Sequence, residues 1–137
     1  IASRTAFFGI PASKLGLAYP PEALSDLLET VSSSNAKRIL FTGDRFAAED
    51  ALQMGLINET VDPSKLQERI NTLCDMIVSN APLSIWAAKQ AVNEMSAKRA
   101  RDPALHRRNA QTCIESADYR EGCRAFLEKR HPEFTGS

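Results

Sequence analysis

The chain has 137 residues, the length of one ordinary domain, and its 43% hydrophobic and 25% charged residues are the balance of a globular protein with a buried core. Its 17 Lys and Arg offset 17 Asp and Glu, which excludes binding of nucleic acid or anionic lipid through overall charge. It contains no run of about 18 apolar residues and no basic-then-apolar leader, so the sequence predicts neither a membrane span nor an export signal.

In chain order, Ile1, Ser3 and Thr5 alternate ahead of Phe7-Phe8 and read as strand material, with no cap or turn before them. The expectation is a chain that enters partway through a longer fold. Pro20-Pro21 fixes a helix entry, Glu22 sits in its first turn, and Ala23, Leu24, Leu27, Leu28 and Val31 follow at helical spacing. "SSSN" breaks that helix, and Ala36, Ile39 and Leu40 predict a short second one. Gly43 marks a turn. A helix carrying Ala47, Ala51 and Met54 comes next and closes at Gly55, where a left-handed cap belongs. Leu56 to Asp62 alternates and reads as a short strand or extended connection.

The rest is helical. Asp62-Pro63 and Asp102-Pro103 are start signals, an acid at the N-cap with proline behind it. Leu66, Ile70, Leu73 and Ile77 form one apolar stripe, and Ile85, Ala88, Val92 and Met95 form another after Pro82. Asp118 with Glu121 reads as a capping box for a last helix that carries Tyr119, Cys123, Phe126 and Leu127 and ends at His131-Pro132. Such stripes need a partner to cover them.

Cys74, Cys113 and Cys123 are odd in number and lack C-x-x-C spacing, so they predict buried reduced thiols rather than disulfides or a zinc site. His106 in "LHRRN" reads as part of a solvated basic face, and His131 as a helix-terminus charge. Lys98, Arg99, Arg101, Arg107 and Arg108 lack the interleaved aromatics of a nucleic-acid site. In "AFLEKR", Phe126 and Lys129 are three apart, which predicts a shared helix face. A ring and an ammonium there suit an adenine and a phosphate; the competing reading makes Phe126 core and Lys129 a snorkelling edge residue.

"IASRTAFFGIPASKLGL", "AKRILFTGDRFAAEDALQMGLINETV", the "AP" before a helix with Lys89, and "SADYREGCRAFLEKRHPEF" together resemble the enoyl-CoA hydratase/isomerase (crotonase) family. The resemblance covers nearly the whole chain and matches the family's carboxyl-terminal half. It implies an α/β fold, mostly α in this chain. Residues 1–62 would be a partial β-β-α spiral core, and residues 63–137 a helical oligomerisation region.

It further implies acyl-coenzyme A thioesters as substrates, no tightly bound cofactor, and an enolate stabilised by two backbone N–H groups that the upstream half supplies. Phe8, Gly9 and Pro11 would form the wall below the reacting carbons. Hydratases carry a glutamate after that proline, working with a second one upstream. Here the position is Ala12, which transfers no proton, so single-acid chemistry such as isomerisation is favoured over hydration. The glycine-rich turn that often follows is Tyr19-Pro20-Pro21-Glu22, and Glu22 is a candidate substitute acid.

Phe126 and Lys129 match the family's contacts to the coenzyme A adenine and phosphate, commonly made across a subunit boundary. The helices from Pro63 to Phe134 would build a homo-oligomer, a trimer or dimer of trimers. A cytoplasmic location is expected, with a mitochondrial or peroxisomal address left open. The alternative function is a non-catalytic oligomerisation or acyl-CoA-binding module.

Overall fold

The computed structural model describes residues 1–96 and 102–137, which divide into two compact units, Ile1–Asn71 and Thr72–Ser137. The expected first strand is broken in two. β1 (Ala2–Ser3) and β2 (Phe7–Phe8) are separated by a turn in which Ala6 N–H donates to Ser3 O at 2.9 Å. β1 pairs in parallel with β4 (Thr60–Val61), while β2 pairs antiparallel with β3 (Phe46–Ala47). The two ladders therefore use the same stretch of chain for different neighbours. Ladders of two residues are too short to stand alone, and helices hold them in place.

α1 (Pro21–Thr30) begins at the proline pair as expected, with Pro20 extended at its N-cap. α2 (Ser33–Thr42) is capped by Ser32, whose hydroxyl accepts from Asn35 N–H at 3.2 Å, and it ends at Gly43 with φ 57°. α3 (Ala48–Gln53) starts one residue later than its apolar spacing predicts. Ala47 is the last residue of β3, because the ladder to Phe7 outcompetes another helical turn there. Gly55 adopts the left-handed φ of 81° expected of it.

The core of this unit is Leu27, Val31, Ala36, Ile39 and Met54, flanked by half-buried Ile10, Leu40, Phe46 and Leu56. Ala48 and Ala51 are fully buried, and their small side chains let α3 lie close against β2 and β4. Asp62 caps the next segment as predicted, its carboxylate accepting from Ser64 N–H at 2.9 Å. A single 3-10 turn, Pro63–Lys65, precedes α4 (Leu66–Val78). Arg69 Nε donates to Glu59 Oε1 at 2.7 Å, which fastens the start of α4 to the residue before β4.

In the second unit, α5 (Pro82–Ser96) packs on α6 (Pro103–Glu115), and α6 on α7 (Ala117–Glu128). Asp102 caps α6 by accepting from Ala104 and Leu105 N–H at 2.9 and 3.0 Å. Among the described residues of this unit, Ala125 is the one buried hydrophobic side chain. Ile77, Ile85, Val92 and Met95, members of the predicted stripes, are all exposed. Leu66, Ile70 and Leu73 of the first stripe are half-buried, so the described residues leave the end of that stripe and most of the second uncovered.

The thiols also differ from expectation. Cys74 and Cys123 are exposed and Cys113 is half-buried, because they lie on helix faces that the described residues do not fully cover.

Burial sets a contrast within α2. Ile39 is 2% exposed and Phe41 is 74% exposed. Ile39→Ala should cost about 2–5 kcal/mol, the range for emptying a packed aliphatic site. Phe41→Ala should stay within about 0.5 kcal/mol. Urea denaturation of the two variants checks the ordering; equal losses would mean that the Leu27–Ile39 cluster is not the core.

Candidate functional site

The residues expected to form a wall lie in the first unit. Phe8, Gly9 and Ile10 line an open hollow of about 360 Å³ together with Tyr19, Asp26 and Phe46. Phe8 stacks on Phe46 with ring centroids 6.2 Å apart, so the ladder between β2 and β3 continues into side-chain contact. Gly9 is obligatory for steric reasons: a Cβ there would sit 2.6 Å from the carbonyl oxygen of Asp44. Only a residue without a side chain lets the two backbones approach so closely. Lys14 Nζ bonds Asp44 Oδ1 at 2.6 Å on the neighbouring 3-10 turn, Pro11–Leu15, which closes at Gly16 with φ 68°. The segment after the wall is thereby tied to the loop after α2 at two points.

Pro11 opens that 3-10 turn, and Ala12 is half-buried within it. Neither is among the lining residues of the hollow. Glu22 is exposed on the first turn of α1 and does not line it either. The hydroxyl and carboxyl side chains that do line it are Tyr19, Asp26 and Thr30, none of which the sequence singles out as an acid. Asp26 lies one helical turn beyond Glu22 on α1, so helix phase was the signal available for it.

The other pair lies in the second unit. Phe126 is 83% exposed, which removes its reading as a core residue. It lines a largely apolar hollow of about 310 Å³ with Ala81, Tyr119, Gly122, Cys123 and Phe134. Lys129 is not on a shared helical face with it. α7 ends at Glu128, and Lys129 is the capping residue, with left-handed φ 54° and ψ 39°. Its N–H donates to Phe126 O at 3.3 Å while Arg130 N–H donates to Ala125 O at 3.1 Å, the paired bonds of a Schellman turn. Spacing could not show this, because the helix closes with lysine in the place glycine usually holds.

The capping box is displaced as well. Ser116 caps α7, its hydroxyl accepting from Tyr119 N–H at 2.9 Å. Asp118 is instead 2% exposed and accepts from the N–H groups of Thr135 at 2.7 Å and Gly136 at 2.9 Å. Glu121 accepts a fork from Arg130, Nη1 at 2.5 Å and Nη2 at 3.0 Å, and a further bond from Glu133 N–H at 3.1 Å. Those bonds, the Arg130 fork first, hold the Glu121 carboxyl at about 2, well below its ordinary 4.5.

His106 is not on a solvated face. Its Nε2 lies 2.8 Å from Glu94 Oε2 between α5 and α6, a close contact whose angle is not that of a hydrogen bond. Arg107 and Arg108 are exposed, while Lys98, Arg99 and Arg101 lie outside the described residues. Among the described residues no group of His, Cys, Asp and Glu is arranged to hold a metal ion, and no helix is long and apolar enough to cross a membrane.

The model of the family described as enoyl-CoA hydratase/isomerase matches residues 1–137. The chain belongs to the enoyl-CoA hydratase/isomerase family. A short-chain-enoyl-CoA hydratase of Clostridium acetobutylicum is 34% identical over 134 residues, covering 97% of this chain and 51% of that protein. A crotonyl-CoA hydratase of Syntrophomonas wolfei is 32% identical over 135 residues, covering 98% and 52%. Among solved structures, an enoyl-CoA hydratase/isomerase family protein of Hyphomonas neptunium superposes with a TM-score of 0.88 at 31% identity, over 96% of this chain and 50% of that one. An enoyl-CoA hydratase of Mycobacterium tuberculosis gives 0.87 at 31%, over 98% and 54%.

The chain spans about half the length of the curated relatives it matches. As a family member it is a partial spiral followed by helices, with small open sheets.

Because the folded-state pKa of Glu121 is depressed, its contribution to stability is complete above about 4.5 and is lost as the pH falls toward about 2. Acid unfolding of Glu121→Gln should therefore be flatter than wild type across that window. An NMR titration of the Glu121 side chain should show a midpoint near 2; one near 4.5 would mean that the fork with Arg130 does not form in solution.

Proposed function

We propose that the protein containing this chain binds acyl-CoA thioesters and stabilises the enolate formed at the thioester carbonyl, by single-acid chemistry such as double-bond isomerisation rather than two-glutamate hydration. The observation that carries the binding half of this reading is Phe126. A phenylalanine 83% exposed on an apolar hollow has no packing role in this chain and offers a free ring face to an adenine. Family membership supports the thioester class, and Ala12 at the position of the hydratase glutamate supports the choice of chemistry. Phe8 and Gly9 are assigned to the acyl wall, and the ammonium of Lys129 to the coenzyme phosphates. Coenzyme A serves only as the carrier of the substrate, and no resident cofactor is required. The exposed apolar residues Ile77, Ile85, Val92 and Met95 of α4 and α5 are assigned to a homo-oligomer, a trimer or dimer of trimers.

A non-catalytic acyl-CoA-binding module is the second reading, favoured by the absence of a proton-bearing side chain at Ala12. Turnover of an acyl-CoA by the full protein separates the two, since only the first reading expects it. This chain alone should not turn over crotonyl-CoA, followed by loss of enoyl absorbance. A rate of about 10 per second, typical of an enzyme, would defeat the proposal. In the full protein, Ala12→Glu should raise hydration by about 10²-fold, the usual scale of a general acid or base. No change there would put the acid elsewhere.

Binding has its own test. Phe126→Ala should weaken an acyl-CoA by about 1–3 kcal/mol, by analogy with base–aromatic stacking, and spare the matching pantetheine thioester. Lys129→Gly removes the ammonium and relieves the left-handed backbone. It should weaken acyl-CoA only at low salt, with no loss of melting temperature. Calorimetric titration of both ligands reads these outcomes; equal weakening of both by Phe126→Ala would remove the stacking assignment.

A further inference from the structure

After Lys129 the chain reverses, and residues 130–137 run back along α7 to its first turn as a strap. It is tied at three successive levels. Arg130 forks onto Glu121, and Glu133 N–H donates to the same carboxylate. Thr135 and Gly136 N–H donate to the two oxygens of Asp118. The Ser137 backbone oxygen accepts from Ala117 N–H at 2.6 Å, satisfying one of the free donors at the start of α7. The strap carries Phe134, whose ring lies so near Gly122 that a Cβ there would be 3.5 Å from it. Phe134 thus closes one side of the hollow that Phe126 lines, and α7 itself contributes Asp118, Tyr119, Gly122 and Cys123.

We propose that Asp118 is a positioning residue for ligand binding: by holding the strap it seats Phe134 opposite the α7 face and preforms the hollow that takes the adenine end of an acyl-CoA. The inference rests on the acyl-CoA reading above. Asp118 borders the hollow, but at 2% exposure both of its carboxylate oxygens are turned to the strap amides and away from a ligand. It acts through two backbone N–H groups, and its burial makes the attachment obligatory, since a carboxylate left unpaired at 2% exposure is costly. A free strap would have to be ordered at the moment of binding, which subtracts from affinity; a latched one has already been ordered by folding.

Asp118→Asn keeps one acceptor oxygen and turns an amide NH2 toward the other strap N–H. In the full protein, exchange of the Thr135 and Gly136 amides should become at least about 10-fold faster. Affinity for an acyl-CoA should fall about 10-fold, while the pantetheine thioester stays within about twofold. Phe134→Ala keeps the latch and removes the ring, so it should lose acyl-CoA affinity alone with amide exchange unchanged, and it carries the test if Asp118→Asn does not fold.

Faster exchange with unchanged acyl-CoA affinity would overturn the proposal, as would equal weakening of both ligands or unaltered affinity in Phe134→Ala. If wild type itself binds the two ligands equally, the acyl-CoA reading fails. If wild type discriminates and Asp118→Asn discriminates equally well, only the latch fails.

Discussion

The second unit is organised around one buried carboxylate. Asp118 lies inside the first turn of α7 with both oxygens engaged by strap amides, and little else in that unit is buried. Removing such a group from water without partners costs several kcal/mol, so the chain beyond α7 must return to it. That return fixes the reversal at Lys129, which takes a left-handed conformation in the absence of glycine, and it brings Arg130 within reach of Glu121. Hydrogen bonds to a carboxylate are stronger than neutral ones, and here they act where apolar burial is scarce.

The first unit solves a different problem. Its ladders are two residues long, so their register comes from what is packed around them: the Leu27–Ile39 cluster on one side and the alanines of α3 on the other. The wall segment is held by steric exclusion as much as by attraction. Gly9 accepts the Asp44 carbonyl because it has no side chain, and the Lys14–Asp44 pair closes the same loop from outside. That surface pair is worth under about 1 kcal/mol by itself and serves mainly to orient.

Both units leave large apolar side chains exposed. Leu15, Leu17 and Phe41 in the first, and Trp86, Val92 and Met95 in the second, are exposed in a chain about half the length of its relatives. A helix stripe with no cover inside its own unit is the sequence-level mark of a surface meant for another element.

Where a residue speaks only to its neighbours in sequence, the sequence alone was enough. Asp62 and Asp102 cap helices as expected, because an N-cap bond reaches two or three residues and needs no tertiary partner, and Ser32, read only as a helix breaker, caps α2 in the same way. Gly43 and Gly55 turn left-handed because that conformation is nearly free for glycine. Motif order along the chain identified the family. Tertiary structure decided the rest. Ala47 went to a strand because Phe7 lay opposite it, and Gly9 proved obligatory because Asp44, far along the chain, crosses it. Asp118 left the capping role its spacing suggested because the strap, 17 and 18 residues later, offered it two N–H groups out of water. Phe126, apolar and at core spacing, stands 83% exposed among the described residues, and only folded geometry can reveal which face a neighbour covers.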